Sequence, residues 1–333
     1  MVGMLQFLSE SFRLYYPHHK VSSKGVISVN SCKVNGKICM IDAKPFGIEN
    51  FTAVYVLRGE KAALIEGGPA SGAERLLTGL REIGVDLKEI AYIMVTHIHV
   101  DHWGGASLIL DEMPNAKVIA HPKGLTHMAN PDKLWEQSKA VLGEVADIFG
   151  KPAPIPVERL IPAEDGMIIN LGDMEIQVIE TLGHAPHHVS YYERLSGSLF
   201  PGETAGMHVK DLNAIIPATP PVIILEKLFE SIDKLIRLNP EIIYYTHFGP
   251  ADNAVEKLNV YAKQLRIWSS TINECLRNNE DYDAILARLM ERDPNFKVAF
   301  EYIRKHPVIG RALKSIIQGF IVNGFSCKIP SKS

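Results

Sequence analysis

One short stretch, from Thr96 to Gly105, constrains this chain more than any other. It reads THIHVDHWGG, so four side chains that can bind a metal ion fall within six positions. The stretch follows an apolar run from Ile90 to Val95, which is typical of a buried parallel strand. Gly104 and Gly105 would let the backbone pass close to bound metals before a helix that we predict from about residue 105 to 112. The sequence therefore predicts a ligand-bearing loop at the end of a buried strand.

The spacing of the polar residues in this loop predicts two neighbouring metal positions. In an extended segment, residues two apart share a face, so His97, His99 and Asp101 can converge while His102 leans toward a second point. Histidine is scarce, with 13 in 333 residues, and His with Asp is a ligand set that divalent Zn or Fe prefers. The alternative is a polar loop in which the histidines only stabilise a turn through hydrogen bonds. The density of ligands favours the metal interpretation.

The composition is that of an ordinary soluble protein, with 46% hydrophobic and 22% charged residues. A net charge of -3 without a long Lys/Arg run argues against nucleic-acid binding, so we expect a small-molecule substrate. No apolar stretch approaches the length of a membrane span, and the start lacks the pattern of a secretory signal, which predicts a cytoplasmic protein. The four cysteines form no CxxC pair and indicate neither a disulfide scaffold nor a structural zinc site.

The order of predicted elements indicates the fold class. Residues 1–25 show no clear period and are interpreted as an N-terminal extension. Residues 26–252 contain two groups of strands, each followed by αβ elements, as expected of an α/β protein in which two β-sheets pack face to face with helices outside. A helical cap is predicted around 122–156, with one amphipathic helix over 132–149, and residues 253–333 are predicted to be a helical extension. The first strand group is predicted at 26–29, 37–42, 51–57 and 62–66, and the second at 167–170, 174–181, 189–192 and 198–200.

Polar residues that can complete a site recur at the ends of three further strands. These segments run from Thr181 to His184, from Leu199 to Thr204 and from Tyr245 to Pro250. Each has a glycine within two residues of its acid or histidine, which allows a tight turn. Because functional side chains of sheet proteins gather at strand ends, these segments are expected to meet the histidine loop at one rim.

With these motifs in order, the chain resembles the metallo-β-lactamase-fold superfamily of αββα metallohydrolases. The resemblance covers about residues 37–250. The segments THIHVDH and TLGHAPHH most resemble those of glyoxalase-II-like hydrolases and of archaeal members of unassigned substrate. It implies two mixed sheets and a site for two divalent metal ions, with Zn preferred and Fe or Mn as alternatives. It implies that one metal is bound by His97, His99 and His184 and the other by Asp101, His102 and His247.

Two glutamates depart from the pattern that the resemblance implies. Glu203 stands where the family usually has an aspartate that bridges both metals, and Glu66 stands where it usually has a supporting aspartate. The longer Glu203 side chain is compatible with bridging, with binding one metal only, or with a changed metal separation. Glu66 is interpreted as an acid behind the ligands or a turn cap rather than a catalytic group.

Five other histidines are weaker candidates. His188 and His187 follow His184 closely and either orient ligands or make loop hydrogen bonds. His208 is a candidate for facing the pocket, while His121 and His127 are candidates for substrate contact or ordinary surface residues.

The predicted function is hydrolysis by a metal-activated hydroxide, with Asp101 or a bound water as the proton shuttle. The expected substrate is a small ester, thioester, lactone or amide, and neither a G-x-S-x-G elbow nor a P-loop competes with this interpretation. The alternative on the same fold is a non-haem iron oxidoreductase, similar to persulfide dioxygenases or diiron proteins. A nuclease and a metal-binding protein without turnover are further alternatives.

The end of the chain carries a long apolar series between Ala299 and Ile321, broken at His306-Pro307. Such a series needs a partner surface, so the sequence predicts a homodimer through the C-terminal helices.

Overall fold

A computed structural model describes residues 33–34, 36–221 and 223–323 of the chain. The predicted extension at 1–25 and the strand predicted at 26–29 lie outside these residues. Within them, two β-sheets pack against each other and helices cover their outer faces, which confirms the predicted αββα arrangement with C-terminal helices.

The first sheet has seven strands that follow one another in chain order. Its first four strands are antiparallel, and the fourth to the seventh run parallel because helical segments connect them. The strands are β1 (Lys33–Val34), β2 (Ile38–Asp42), β3 (Ala53–Arg58), β4 (Ala62–Ile65), β5 (Ile90–Met94), β6 (Lys117–Ala120) and β7 (Leu160–Pro162).

The second sheet has six strands in the order β15-β14-β11-β10-β9-β8, and a separate hairpin pairs β12 with β13. All pairs are antiparallel except β11 with β14. The strands are β8 (Ile168–Asn170), β9 (Glu175–Glu180), β10 (Val189–Glu193), β11 (Ser198–Phe200), β12 (Met207–Val209), β13 (Ala214–Ile216), β14 (Ile242–Tyr245) and β15 (Gly249–Asp252).

Strand β2 shows why both faces of the sheet are apolar. Its residues alternate between two cores: Ile38 and Met40 pack between the sheets, whereas Cys39 and Ile41 pack under the outer helices. All of them are buried, as the continuous apolar strand sequence requires in a four-layer fold. Neither face of the first sheet is left to solvent along this strand, so the polar side chains of the site are placed at strand ends.

Ten α-helices are present in the described residues. They are α1 (Ala73–Glu82), α2 (Val100–Ile109), α3 (Leu125–Ala129), α4 (Asp132–Leu142), α5 (Glu144–Phe149), α6 (Leu225–Arg237), α7 (Ala254–Arg277), α8 (Tyr282–Arg292), α9 (Pro294–Lys305) and α10 (Ile309–Asn323). None of the helices in the described ranges is long and apolar enough to cross a membrane.

The helix after the histidine loop begins five residues earlier than predicted, at Val100. Gly104 and Gly105 therefore lie inside α2 and do not precede it. They are needed because the helix packs on the turn before α1: a Cβ on Gly105 would lie 2.5 Å from the carbonyl oxygen of Gly67 and 2.7 Å from that of Pro69. The early start also puts Asp101 in the first helical turn, so the extended spacing that grouped it with His97 and His99 does not apply.

The predicted cap helix over 132–149 is divided into α4 and α5 by Gly143. This glycine has a φ of 57°, which other residues rarely adopt, so the helical hydrogen bonds stop there. The second piece, α5, packs its buried face against α2 and the turn before α1.

The C-terminal apolar series is buried within the chain itself. Val308, Ile309, Leu313 and Ile317 belong to the same core as the buried face of α7. The surface that these side chains need is therefore supplied at least in part by other helices of the same chain. The dimer stays an untested prediction.

The packing of α2 predicts that Gly105→Ala destabilises the protein. Both nearby atoms belong to the backbone, so the added methyl forces the turn to move, and this outweighs the gain of about 1 kcal/mol in helix propensity. We expect a loss of at least about 1 kcal/mol in the free energy of unfolding, measured by urea denaturation with a chelator present. The control is Leu108→Ala on the half-exposed face of the same helix, with an effect within about 0.5 kcal/mol. Equal stability of the two variants would contradict this packing.

Candidate metal centre

The loop after β5 is fixed by its first residue, Thr96. The N–H and Oγ1–H of Thr96 donate to the two carboxylate oxygens of Glu66, and its carbonyl accepts from the N–H of Val189 on β10. This pairing ties the first sheet to the second where both sheets end. The extended residues that follow place His97 and His99 at this rim, as the sequence predicts.

Four ligand atoms form the first group, and all lie within 4.8 Å of one another: His97 Nε2, His99 Nδ1, His184 Nε2 and a Glu203 carboxylate oxygen. His97 Nε2 lies 2.8 Å from His99 Nδ1, and His184 Nε2 lies 3.2 Å from the same atom. Oε2 of Glu203 lies 3.2 Å from His97 Nε2 and 2.8 Å from His184 Nε2. Ligands at the corners of a zinc tetrahedron are about 3.3 Å apart, so the spacing suits one small cation.

The second group consists of Asp101, His102 and His247. Oδ2 of Asp101 lies 3.8 Å from His102 Nε2 and 3.5 Å from His247 Nε2. The carboxylate of Glu203 reaches this group too, with Oε2 3.6 Å from His102 Nε2 and Oε1 3.8 Å from His247 Nε2. The longer glutamate thus faces both groups and is within reach of a bridging position.

The second nitrogen of each of four histidines is held by a neighbour. Nδ1 of His247 donates to the carbonyl of Phe51 at 2.6 Å, and Nδ1 of His184 donates to the carbonyl of Ala218 at 2.9 Å. Since one nitrogen carries the proton, the other presents a lone pair, which is the state that a metal ion requires. The other two pairs are His97 Nδ1 with Thr96 Oγ1 at 3.1 Å and His102 Nδ1 with Glu66 Oε1 at 3.1 Å.

One buried atom in this cluster tests whether the residues fit a cation. Nε2 of His102 has no hydrogen-bond partner among the described residues, although the side chain is fully buried. A buried polar atom without a partner costs folding free energy, and a bound metal ion would satisfy it. The His/Asp/Glu donor set and its spacing fit a divalent cation.

Glu66 lies behind His102 and does not belong to either ligand group. Its side chain is fully buried and also accepts the hydroxyl of Thr246 at 3.1 Å. Thr96 and Thr246 each precede a histidine of the site, so one carboxylate holds the residues before His97 and His247 as well as the ring of His102. This is the placement that the sequence predicts for a supporting acid.

Glu203 is placed by a short 3-10 turn over Gly202–Ala205. Gly202 has a φ of 55°, and a Cβ there would lie 2.6 Å from Nε2 of His188. That nitrogen accepts the N–H of Glu203 at 3.3 Å, while Nδ1 of His188 lies 2.9 Å from Oγ1 of Thr181. His188 is fully buried and orients Glu203 through the backbone.

Burial and neighbouring charges shift the pKa values of the titratable groups in the centre in different directions. Burial lowers the pKa of His97 well below its usual range, and it lowers that of His99 as well. Burial also opposes a charge on His102, but the carboxylates of Glu66 and Asp101 outweigh it and raise the pKa of His102 well above its usual range. Burial would raise the pKa of Glu203, yet the surrounding histidines hold it well below its usual range.

The remaining histidine candidates differ in position. The ring of His187 is half-buried and lies parallel to that of His97 at 6.3 Å, and burial lowers its pKa to about 3. His208 stacks on Tyr245 at 5.0 Å. Nε2 of His208 lies 3.3 Å from Asn213, and Nε2 of His121 lies 3.2 Å from Glu180. His127 lies on the short helix α3 in the cap.

Sequence reasoning predicted Glu66 as a supporting acid but missed Thr96, Ala218 and Phe51, which hold the other three histidines. The repeated Thr-His pair at 96–97 and 246–247 was a visible signal, because both threonines donate to Glu66. Phe51 gave no signal, since it acts on His247 through its carbonyl.

The raised pKa of His102 predicts that metal binding releases a proton. Because the carboxylates of Glu66 and Asp101 raise the pKa of His102 well above its usual range, metal-free His102 holds its second proton near neutral pH, and a cation must displace it. We expect about one proton released per protein at pH 7, measured by calorimetry in buffers of different ionisation enthalpy. Zinc affinity should rise with pH by up to about tenfold per unit below that pKa. Binding heats that are independent of the buffer would contradict the prediction.

The contacts of Glu66 predict that Glu66→Gln weakens metal binding. Loss of the carboxylate charge removes the partner that orients His102, and changes of this kind cost about 10- to 100-fold in metal affinity. The measurement is zinc competition with a chromogenic chelator. Glu193→Gln is the matched control, because Glu193 is an equally buried acid that binds Ser196 at the other end of β10. Equal affinities of both variants would remove the role assigned to Glu66.

The chain is similar in sequence to several known proteins. A family model described as the metallo-beta-lactamase superfamily matches residues 47–247. The metallo-beta-lactamase fold-containing protein ST1585 of Sulfurisphaera tokodaii is 29% identical over 214 residues, which cover 63% of this chain and 77% of that protein. Hydroxyacylglutathione hydrolase of Vibrio cholerae is 24% identical over 236 residues, covering 70% of this chain and 75% of the relative.

Solved structures show the same fold. The crystal structure of ST1585 from Sulfolobus tokodaii matches with a TM-score of 0.60 at 27% identity, covering 69% of this chain and 86% of that chain. A beta-lactamase domain protein from Burkholderia ambifaria matches with a TM-score of 0.62 over 92% of this chain and 93% of that chain, and at 14% identity it shows the fold alone. The matched family segment covers more than half of the chain and contains every residue of the two ligand groups. The chain therefore belongs to the metallo-beta-lactamase superfamily.

Proposed function

We propose that this protein is a metal-dependent hydrolase that uses a two-metal centre to cleave a small ester, thioester, lactone or amide. One observation carries the proposal: seven ligand side chains form two adjacent groups, and the carboxylate of Glu203 faces both. Family membership and relatives named as hydrolases support the general reaction.

We assign His97, His99 and His184 to one metal position, and Asp101, His102 and His247 to the other, with Glu203 between them. Zinc is the preferred ion, because the first group is three imidazoles and a carboxylate at tetrahedral spacing. Fe or Mn remain alternatives that the same ligand types accept. Two such cations would lower the pKa of a shared water and polarise a substrate carbonyl.

The side chains around the centre have separate tasks in this proposal. Asp101 is assigned the acid-base role, because its carboxylate retains some exposure at the opening and can hold a proton on Oδ for the leaving group. His99 is one-third exposed, whereas the other ligand histidines are almost fully buried, so the substrate approaches from the His99 side. The buried side of the site excludes water from the remaining ligands.

The relatives guide the order of the substrates that we propose to test. Hydroxyacylglutathione hydrolase of Vibrio cholerae is named for hydrolysis of an acylglutathione, so thioesters come first in the panel. Esters, lactones and amides follow, since the same attack on a carbonyl serves them all.

Assay of a carbonyl-substrate panel tests the proposal. We expect the metal-loaded protein to hydrolyse at least one thioester or ester, and a chelator to abolish the activity until zinc is restored. His97→Ala should abolish it, and Asp101→Asn should lower kcat by about 10²- to 10⁴-fold through loss of the acid-base group. His121→Ala is the control, because His121 binds Glu180 outside both ligand groups, and it should keep the activity.

Two results would overturn this proposal. Activity that is equal in the wild type and in His97→Ala would remove the metal centre from the reaction. Oxygen consumption with a thiol or persulfide substrate, without hydrolysis of any carbonyl compound, would establish the iron oxidoreductase instead.

A further inference from the structure

Phe51 touches the second ligand group through both its backbone and its side chain. Its carbonyl accepts the Nδ1–H of His247 at 2.6 Å, and its ring lies 4.6 Å from the ring of the same histidine. The carbonyl therefore fixes the tautomer of His247 and the direction of its Nε2. Any movement of Phe51 would turn this ligand away from Asp101.

Contacts outside the strand ladder have to keep Phe51 in place. Phe51 precedes β3, which begins at Ala53, so it lies outside the strand ladder. The segment before it contains four residues with positive φ, Lys44, Phe46, Gly47 and Asn50, and the N–H of Asn50 donates to the carboxylate of Asp42. The side-chain contacts of Phe51 must therefore supply much of its fixation.

Two elements from distant parts of the sequence supply these contacts. Phe149, at the end of α5 in the cap, stacks on Phe51 with ring centres 6.0 Å apart and planes within 6°. His306 lies between α9 and α10, and its ring centre is 5.4 Å from that of Phe51. The cap and the C-terminal helices also meet each other, through an ion pair of Arg311 on α10 with Glu144 on α5.

His306 is a polar residue at an otherwise apolar contact. Its Nδ1 accepts the N–H groups of Val308 and Ile309 at the start of α10, both at 3.2 Å, so the proton lies on Nε2. This Nε2 is buried and has no hydrogen-bond partner among the described residues. Burial lowers the pKa of His306 to about 4, so the ring is neutral at pH 7.

We propose that Phe51, clamped by Phe149 and His306, is a positioning residue for the metal position that contains His247, so that the cap and the C-terminal helices together control the occupancy of this position. The inference rests on the proposed two-metal centre. It gives the helices after residue 253 a role at the site, although they contribute no ligand to either group.

The test is a zinc titration with a competing chelator on the full-length protein, which resolves the first and the second dissociation constant. In the variants Phe51→Leu, Phe149→Leu and His306→Asn, we expect the second metal to bind about tenfold or more weakly and the first to be unchanged. Asn at position 306 keeps a side-chain acceptor for the start of α10 while it removes the ring. The cobalt-substituted protein gives a second readout, because the d–d absorption of the weakened position should change in energy and intensity.

The matched control is Phe296→Leu. Phe296 is equally buried and packs against Trp268 in the C-terminal helices, without a ring contact to Phe51. We expect this variant to lose stability yet to bind both metals as the wild type does. Should Phe51→Leu fail to fold, Phe149→Leu and His306→Asn carry the same expectation from two other elements.

The outcomes separate this inference from the proposed function. A wild type that binds no second metal, or a His247→Ala variant that keeps it, would overturn the two-metal centre and the inference with it. A wild type with two metals and variants with unchanged constants would overturn the inference alone. Equal weakening of both metals, or the same weakening in Phe296→Leu, would also overturn it, because the effect would then be general loosening of the fold.

Discussion

The whole centre depends on one constraint: each histidine must present a lone pair, so its other nitrogen must be held in a protonated state. Four histidines meet this constraint through partners on four different segments. Glu66 is the most connected of these partners, because it accepts from Thr96, Thr246 and His102 at once. The ligand geometry is therefore built from residues that never touch the metal positions.

The fold supplies these partners because both sheets end at the same rim. The loop after β5 carries His97 and His99, the first turn of α2 carries Asp101 and His102, and the turn after β11 carries Glu203. Each sheet is covered on both faces, so polar side chains are collected at strand ends and not within the sheets. The hydrogen bond from Val189 to Thr96 joins the two rims and keeps the two sets of ligands in register.

Sequence patterns predicted the αββα fold and the gathering of the histidine segments, because apolar strands and alternating ligands are local signals. The start of α2 was predicted wrongly, since Gly104 and Gly105 indicate a turn locally but serve close helix packing, Gly104 against Ala70 and Gly105 against Gly67 and Pro69. Gly143 divided the predicted cap helix for a similar reason, a positive φ that composition does not reveal. Phe51 holds His247 through its backbone carbonyl, and the ring of His306 contacts that of Phe51 from 255 residues further along the chain. Neither contact leaves a pattern in the sequence, so these roles could not be predicted.

The substitution of glutamate at position 203 is accommodated by local structure. His188 holds the backbone N–H of Glu203, and Gly202 allows the turn to approach that histidine closely. The carboxylate then lies between the two ligand groups, with one oxygen near His184 and the other near His247. The assignment of two metal positions therefore depends on whether the Glu203 carboxylate serves both ligand groups.

Anomalous diffraction at the zinc absorption edge, from crystals of the metal-loaded protein, would locate both metal positions. We expect two anomalous peaks on either side of the Glu203 carboxylate, one among His97, His99 and His184 and one beside Asp101, His102 and His247. A single peak, or two peaks with the Glu203 carboxylate turned away from both, would contradict this expectation.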